Sequence, residues 1–184
     1  MKNITKYSLF AACGMIALSQ FSCKKAGTET STENAAAPAA DPQIEAVFLD
    51  AAPEGAVSVI ESRKKAEPGT TITVKGRIAG AMEPFSADYA TLVLSDDSLE
   101  TCEKNPSDSC KTPWDACCVE PKTISASRLT VQVLGEDGRP VGQTLKQVRG
   151  LKELDSLVVT GTVAEGSSDE NLILNATGIF PKKS

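Results

Sequence analysis

Thr70-Thr-Ile72-Thr-Val74-Lys-Gly76-Arg-Ile78-Ala-Gly80 is the stretch that decides the fold. Ile72, Val74 and Ile78 alternate with polar residues, the period of a half-buried β-strand. Gly76 falls on the apolar side of that alternation, where a missing side chain marks a bulge or a sharp bend. The device recurs, since Val159-Thr-Gly161-Thr-Val163 echoes Val74-Lys-Gly76-Arg-Ile78. Tightly coiled barrel strands need such places to bend. Residues 89–95, 128–134 and 171–180 read as further strands, which with 70–80 and 157–163 makes five.

Around these strands the punctuation is clear. Residues 44–49 form a short apolar segment of either type. Pro53 suits the first turn of a helix, with Glu54 at its positive end, Val57, Ile60 and Val59 facing inward and Pro68-Gly69 ending it. Leu145, Val148, Leu151 and Leu154 have helix-like spacing interrupted by Gly150, so residues 144–154 predict a short or broken helix. This order predicts an all-β domain: a small five-stranded OB-fold-like barrel with an N-terminal helix and a short helix between strands 3 and 4. A five-stranded sandwich is the alternative.

The chain has 184 residues, with 41% hydrophobic but only 4% aromatic content, so its core must be aliphatic. Formal net charge is -5. Without residues 1–22 the chain loses Lys2 and Lys6 and no acid, leaving 17 basic and 24 acidic residues, a net -7. Nucleic-acid binders carry a basic face, so nucleic acid is an unfavoured partner even for an OB-fold. There is no histidine, which excludes histidine general bases, Ser/His/Asp triads and histidine metal ligands. No Gly-rich phosphate loop or nucleophile elbow is present either. The expectation is a non-enzymatic domain that needs no cofactor.

The N-terminus predicts export. Lys2 and Lys6 precede an uncharged apolar run at 7–19, too short to span a bilayer and suited to a signal peptide. Gln20-Phe21-Ser22-Cys23 resembles a bacterial lipoprotein cleavage site, with Gln20 where Leu is usual. That resemblance implies a signal peptide at 1–22, which removes Cys13, and a lipidated Cys23. It places the protein on the cell membrane or outer membrane, facing periplasm or exterior. Residues 23–43 then form a disordered tether of Ala, Thr, Glu and Pro, reaching roughly 25 Å as a flexible coil. The folded domain is expected at 44–184.

Within it, residues 99–123 form a long loop holding the sequence Cys102-Glu-Lys-Asn-Pro-Ser-Asp-Ser-Cys110-Lys-Thr-Pro113-Trp114-Asp115-Ala-Cys117-Cys118. Four of the six cysteines and the one tryptophan are here. In an exported protein an even set of cysteines reads first as disulfides. Pairing Cys117 with Cys118 would need a strained small ring. Cys102–Cys117 with Cys110–Cys118, or Cys102–Cys118 with Cys110–Cys117, both remain open. A bridge closing a loop near 15 residues contributes about 3 kcal/mol. The second reading is a four-thiolate site for zinc or Cu(I), and the third is thiol–disulfide exchange. Pro113, Trp114 and Asp115 would then be presented for contact, or Trp114 would plug the barrel mouth. Asp96-Asp97 with Asp88, and Asp169-Glu170, are candidate calcium ligands that strand-end acids often mimic. Glu100 and Asp115 have no spacing that specifies acid/base work.

Val74-Lys-Gly-Arg-Ile-Ala-Gly80, Glu83-Pro-Phe85, Cys102 and Cys110, Thr112-Pro-Trp-Asp115, Cys117-Cys118 and Asn175-Ala-Thr-Gly-Ile179 together resemble a family of exported lipoproteins of planctomycete-type bacteria. The resemblance covers about residues 55–182. It implies an OB-fold-like domain in an exported compartment and carries no activity with it. The combined expectation is a membrane-tethered binding domain whose loop is ordered by disulfides. Its partner would be an envelope protein, a polysaccharide or a small molecule, with metal binding as the alternative.

Overall fold

The computed structural model describes residues 39–105 and 109–182. The signal peptide, Cys13, Cys23 and most of the tether lie outside the described residues. Five strands form the frame: β2 (Thr71–Ile78), β3 (Thr91–Ser95), β4 (Arg128–Gln132), β5 (Ser156–Val163) and β6 (Ile173–Pro181). They pair in the order β2-β3-β4-β6-β5, and β5 returns to β2, so the sheet closes on itself. β4 and β6 run parallel and the other barrel pairs antiparallel. Counted along the barrel this is 1-2-3-5-4-1, the OB-fold arrangement. A two-residue β1 (Val57–Ser58) adds to β2 in parallel.

Both mid-strand glycines sit where another strand crosses closely. A Cβ on Gly76 would lie 2.3 Å from the Ser95 carbonyl oxygen, and one on Gly161 would lie 2.4 Å from that of Asn175. The β5–β6 register shifts between Thr160 and Gly161, so the second glycine also marks a bulge. The alternating residues behave as read: Val74, Ile78, Leu92, Leu94, Leu129, Val131, Leu157, Val159 and Leu174 are buried. The barrel fills with aliphatic side chains, each worth ~1.5–3 kcal/mol on burial.

The N-terminal segment belongs to this core. α1 (Pro42–Ala46) starts at Asp41, whose side chain accepts from the Gln43 amide. Ile44 and Phe48 are buried, and Phe48 bridges to Ile179 on β6. The boundary expected between 43 and 44 therefore falls inside a helix.

The helix expected from Pro53 forms later. Gly55 takes φ +73°, and the chain runs through β1 before α2 (Val59–Arg63) begins. Ser58 caps it, accepting from the Glu61 amide while the Glu61 carboxylate accepts from the Ser58 amide. That reciprocal box is the stronger start signal. Val57, expected inward, is 37% exposed.

The short helix expected between barrel strands 3 and 4 is only a 3-10 turn at Val148–Gly150. Gln147, Arg149 and Leu154 have φ of 69°, 48° and 71°, which no α-helix tolerates. The apolar spacing was nevertheless informative, since Leu145, Val148 and Leu151 are all buried. Buried side chains decided the face, and the loop's anchors, such as the Thr144 hydroxyl on the Ser86 carbonyl at 2.6 Å, decided the backbone. The sequence reading missed α3 (Pro121–Ala126), a six-residue helix opened by Pro121 between β3 and β4.

Candidate thiol centre

The site is built between the ends of β3 and β4. The Asp96 amide donates to the Ser127 carbonyl at 2.8 Å, drawing the two ends of the long loop together. From there Leu99 and Thr101 are buried, and a 3-10 turn at Cys102–Lys104 places Cys102 at 7% exposure. Lys104 Nζ reaches back to the carbonyls of Asp97 and Leu99.

The Thr-Pro-Trp-Asp run closes the other half of the loop through its backbone. The carbonyls of Pro113, Trp114 and Asp115 accept in turn from the amides of Glu103, Gly80 and Cys102, at 2.8, 2.9 and 2.8 Å. The indole Nε1 of Trp114 donates to the Met82 carbonyl at 2.9 Å. Asp115 turns its carboxylate onto the Ala116 amide at 2.8 Å, and Ala116 is buried. Pro113, Trp114 and Asp115 are each half-buried. Trp114 thus ties the loop to the turn at 80–82. Gly80 makes that junction possible at φ +82°, where a Cβ would meet Leu99 Cδ2 at 2.9 Å.

This strap brings cysteines 15 residues apart into contact: Cys102 Sγ and Cys117 Sγ are 3.4 Å apart. The sulfurs of Cys102, Cys110 and Cys117 all lie within 4.8 Å of one another. Cys118 Sγ lies 3.9 Å from Cys117 Sγ. Among the described residues no disulfide joins any of them. Cys110 Sγ also contacts the Thr112 hydroxyl at 3.3 Å and the Thr112 carbonyl at 3.6 Å.

The environment grades the thiols. Burial, reinforced by the Cys117 and Cys110 sulfurs, pushes the Cys102 thiol up to about 12. The Thr112 hydroxyl and backbone hold Cys110 below the usual thiol range. For Cys117 the Cys102 contact acts to lower the pKa, but Cys118 and burial outweigh it and the net direction is upward. Arg77 pairs with Glu103 and donates to the Thr101 hydroxyl at 3.2 Å, the residues on either side of Cys102 in the chain. Its buried Nε has no partner. Arg77, Gly80 and Met82 were not singled out from sequence, because only pairing of distant segments brings them to the loop.

The other candidates are placed elsewhere or already engaged. Asp96 is 5% exposed and accepts from the Ile60 amide, the Ser98 amide and the Ser98 hydroxyl. Its role is to cap α2 and the turn after β3. Asp169 offers its backbone carbonyl to Arg63. Glu100 is exposed. A separate groove of about 850 Å³ lies between α2, α3 and the β5–β6 hairpin, lined by Arg63, Lys122 and Asp169 among others. No aromatic residue lines it.

Three sulfurs this close can hold one soft ion. Zinc–thiolate bonds of about 2.3 Å in a tetrahedron put sulfurs ~3.8 Å apart, and the three sulfurs here lie within 4.8 Å of one another, with Cys102 and Cys117 at 3.4 Å. Thiolates are also the preferred ligands of Cu(I).

No family model matches the chain, and no curated protein does. Among solved structures, one titled as that of the hypothetical protein ygiW from E. coli is 15% identical, covering 71% of this chain and 94% of that one, with a TM-score of 0.35.

Proposed function

We propose that this chain is a non-enzymatic metal-binding domain in which Cys102, Cys110 and Cys117 hold one thiophilic ion, Zn2+ or Cu(I). The observation that carries this is the mutual approach of those three sulfurs within 4.8 Å. The barrel supplies rigid strand ends, and the Thr-Pro-Trp-Asp strap supplies the register. The sequence motifs add the setting: export, a lipid anchor at Cys23 and a tether that holds the domain away from the membrane surface, as in the lipoproteins it resembles.

A second reading is favoured by one distance. Cys102 and Cys117 at 3.4 Å are the natural first pair if the loop oxidises, leaving Cys110 for Cys118. The domain would then be a disulfide-braced contact surface for an envelope protein, polysaccharide or small molecule. Binding to nucleic acid has no support beyond fold analogy.

The two readings separate in one experiment. The full chain is purified anaerobically without chelators, and its metal content and intact mass are measured. About one zinc or copper per chain is expected, lost on Cys102→Ser, Cys110→Ser or Cys117→Ser. Metal-free protein lighter by four hydrogens than its fully reduced form would instead establish two bridges.

A further inference from the structure

We infer that the centre is an exchange site for Cu(I), with Cys118 as the thiolate that passes the ion between the Cys102, Cys110 and Cys117 trio and a thiolate-bearing partner. This rests on the metal-binding reading above and names its ion and its partner chemistry. The exposure of the four thiols is graded: Cys102 is buried, Cys110 intermediate, and Cys117 and Cys118 exposed. A purely structural thiolate site closes all its ligands around the ion. Here the outer edge is a pair of adjacent cysteines whose sulfurs are 3.9 Å apart.

The coordination number favours copper. Only Cys102, Cys110 and Cys117 form the mutually close set among the described residues. Zinc in a structural site wants four ligands. Cu(I) is soft and stable with two or three thiolates, so it can gain or lose one sulfur without leaving the protein. Cu(I) on three thiolates carries net negative charge. Arg77 brings positive charge to this part of the loop: it is held to Thr101 and Glu103, the residues on either side of Cys102 in the chain, and its buried Nε–H has no hydrogen-bond partner.

The step balances without redox chemistry. Cys118 gives its proton to solvent, and its thiolate forms a Cu–S bond. The Cu–S bond to Cys102 breaks, and Cys102 takes up a proton. Copper remains Cu(I) throughout. The two thiolates of a Cys-x-x-Cys partner then displace Cys110, Cys117 and finally Cys118, each released sulfur taking up a proton, and the ion leaves through the exposed edge as Cu(I) held by the partner's two sulfurs.

The test uses the full chain, loaded anaerobically with Cu(I). Affinity is read by competition with bicinchoninate, and transfer by stopped flow to a synthetic peptide carrying a Cys-x-x-Cys pair. Cys118→Ser and Cys118→Ala are expected to keep Kd within about threefold of wild type while slowing transfer at least tenfold; Cys102→Ser is expected to lose affinity outright. Unchanged transfer in the Cys118 variants overturns the relay. A loss of affinity matching that of Cys102→Ser also overturns it, since Cys118 would be a fixed ligand. Uptake of zinc but not Cu(I) by wild type overturns this inference and leaves the metal-binding reading standing. Uptake of neither ion by reduced wild type overturns both.

Discussion

Asp96 shows what a single residue's surroundings do to a reading made from its neighbours in sequence. Beside Asp97 at a strand end it suggests a cation ligand. In the fold its carboxylate accepts the Ile60 amide at 3.0 Å and both Ser98 donors. Burial acts to raise its pKa, but those hydrogen bonds outweigh it and hold the carboxyl below its usual value of 3.8. A carboxyl depressed in the folded state adds stability that is present above the unfolded pKa and lost as pH falls through the folded one. Asp96→Asn is therefore expected to cost about 1–3 kcal/mol at neutral pH. Wild type should lose that advantage on acidification below about pH 4. Urea unfolding of both proteins from pH 7 to pH 2.5 checks this, and a gap that does not narrow would refute it. The cysteines are the reverse case: their number was plain from sequence, while their chemistry stayed open among disulfides, a metal site and thiol exchange, and their grouping was not visible.

At the scale of elements, the Thr-Pro-Trp-Asp run is a strap whose backbone carbonyls matter most. Its composition suggested a presented surface. Pairing with Gly80, Cys102 and Glu103 was invisible because those amides come from two other segments. The indole adds one neutral hydrogen bond to Met82, worth about 1 kcal/mol. Trp114→Phe should leave the far-UV spectrum unchanged and weaken metal binding by up to about fivefold, measured by competition titration. Affinity equal to wild type would mean that the backbone bonds alone organise the loop. The same limit applies to residues 144–154, where buried Leu145, Val148 and Leu151 were legible and the left-handed turns between them were not. Apolar spacing reports which side chains are buried, and several backbones can bury them.

For the whole molecule, the barrel is closed by β2 against β5 and filled in part by the segment that precedes it. Ile44 is fully buried although it lies before the first strand. Ile44→Ala is expected to cost about 2–5 kcal/mol, and a chain beginning at residue 50 should lose more, since it also lacks Phe48. Thermal melts of each check this; a truncated form as stable as wild type would mean that the segment merely covers a finished core.

By itself the sequence determined the five strands, the aliphatic core and the two glycines at which barrel strands cross. Alternation and missing side chains are local properties, written one residue after another. It also supplied four thiols in one loop. Only the tertiary structure decided that Cys102, Cys110 and Cys117 converge, that Arg77 is tied to Thr101 and Glu103 and that Asp96 is a cap. Those outcomes depend on hydrogen bonds between segments far apart in the chain, and no periodicity encodes where distant backbones will meet.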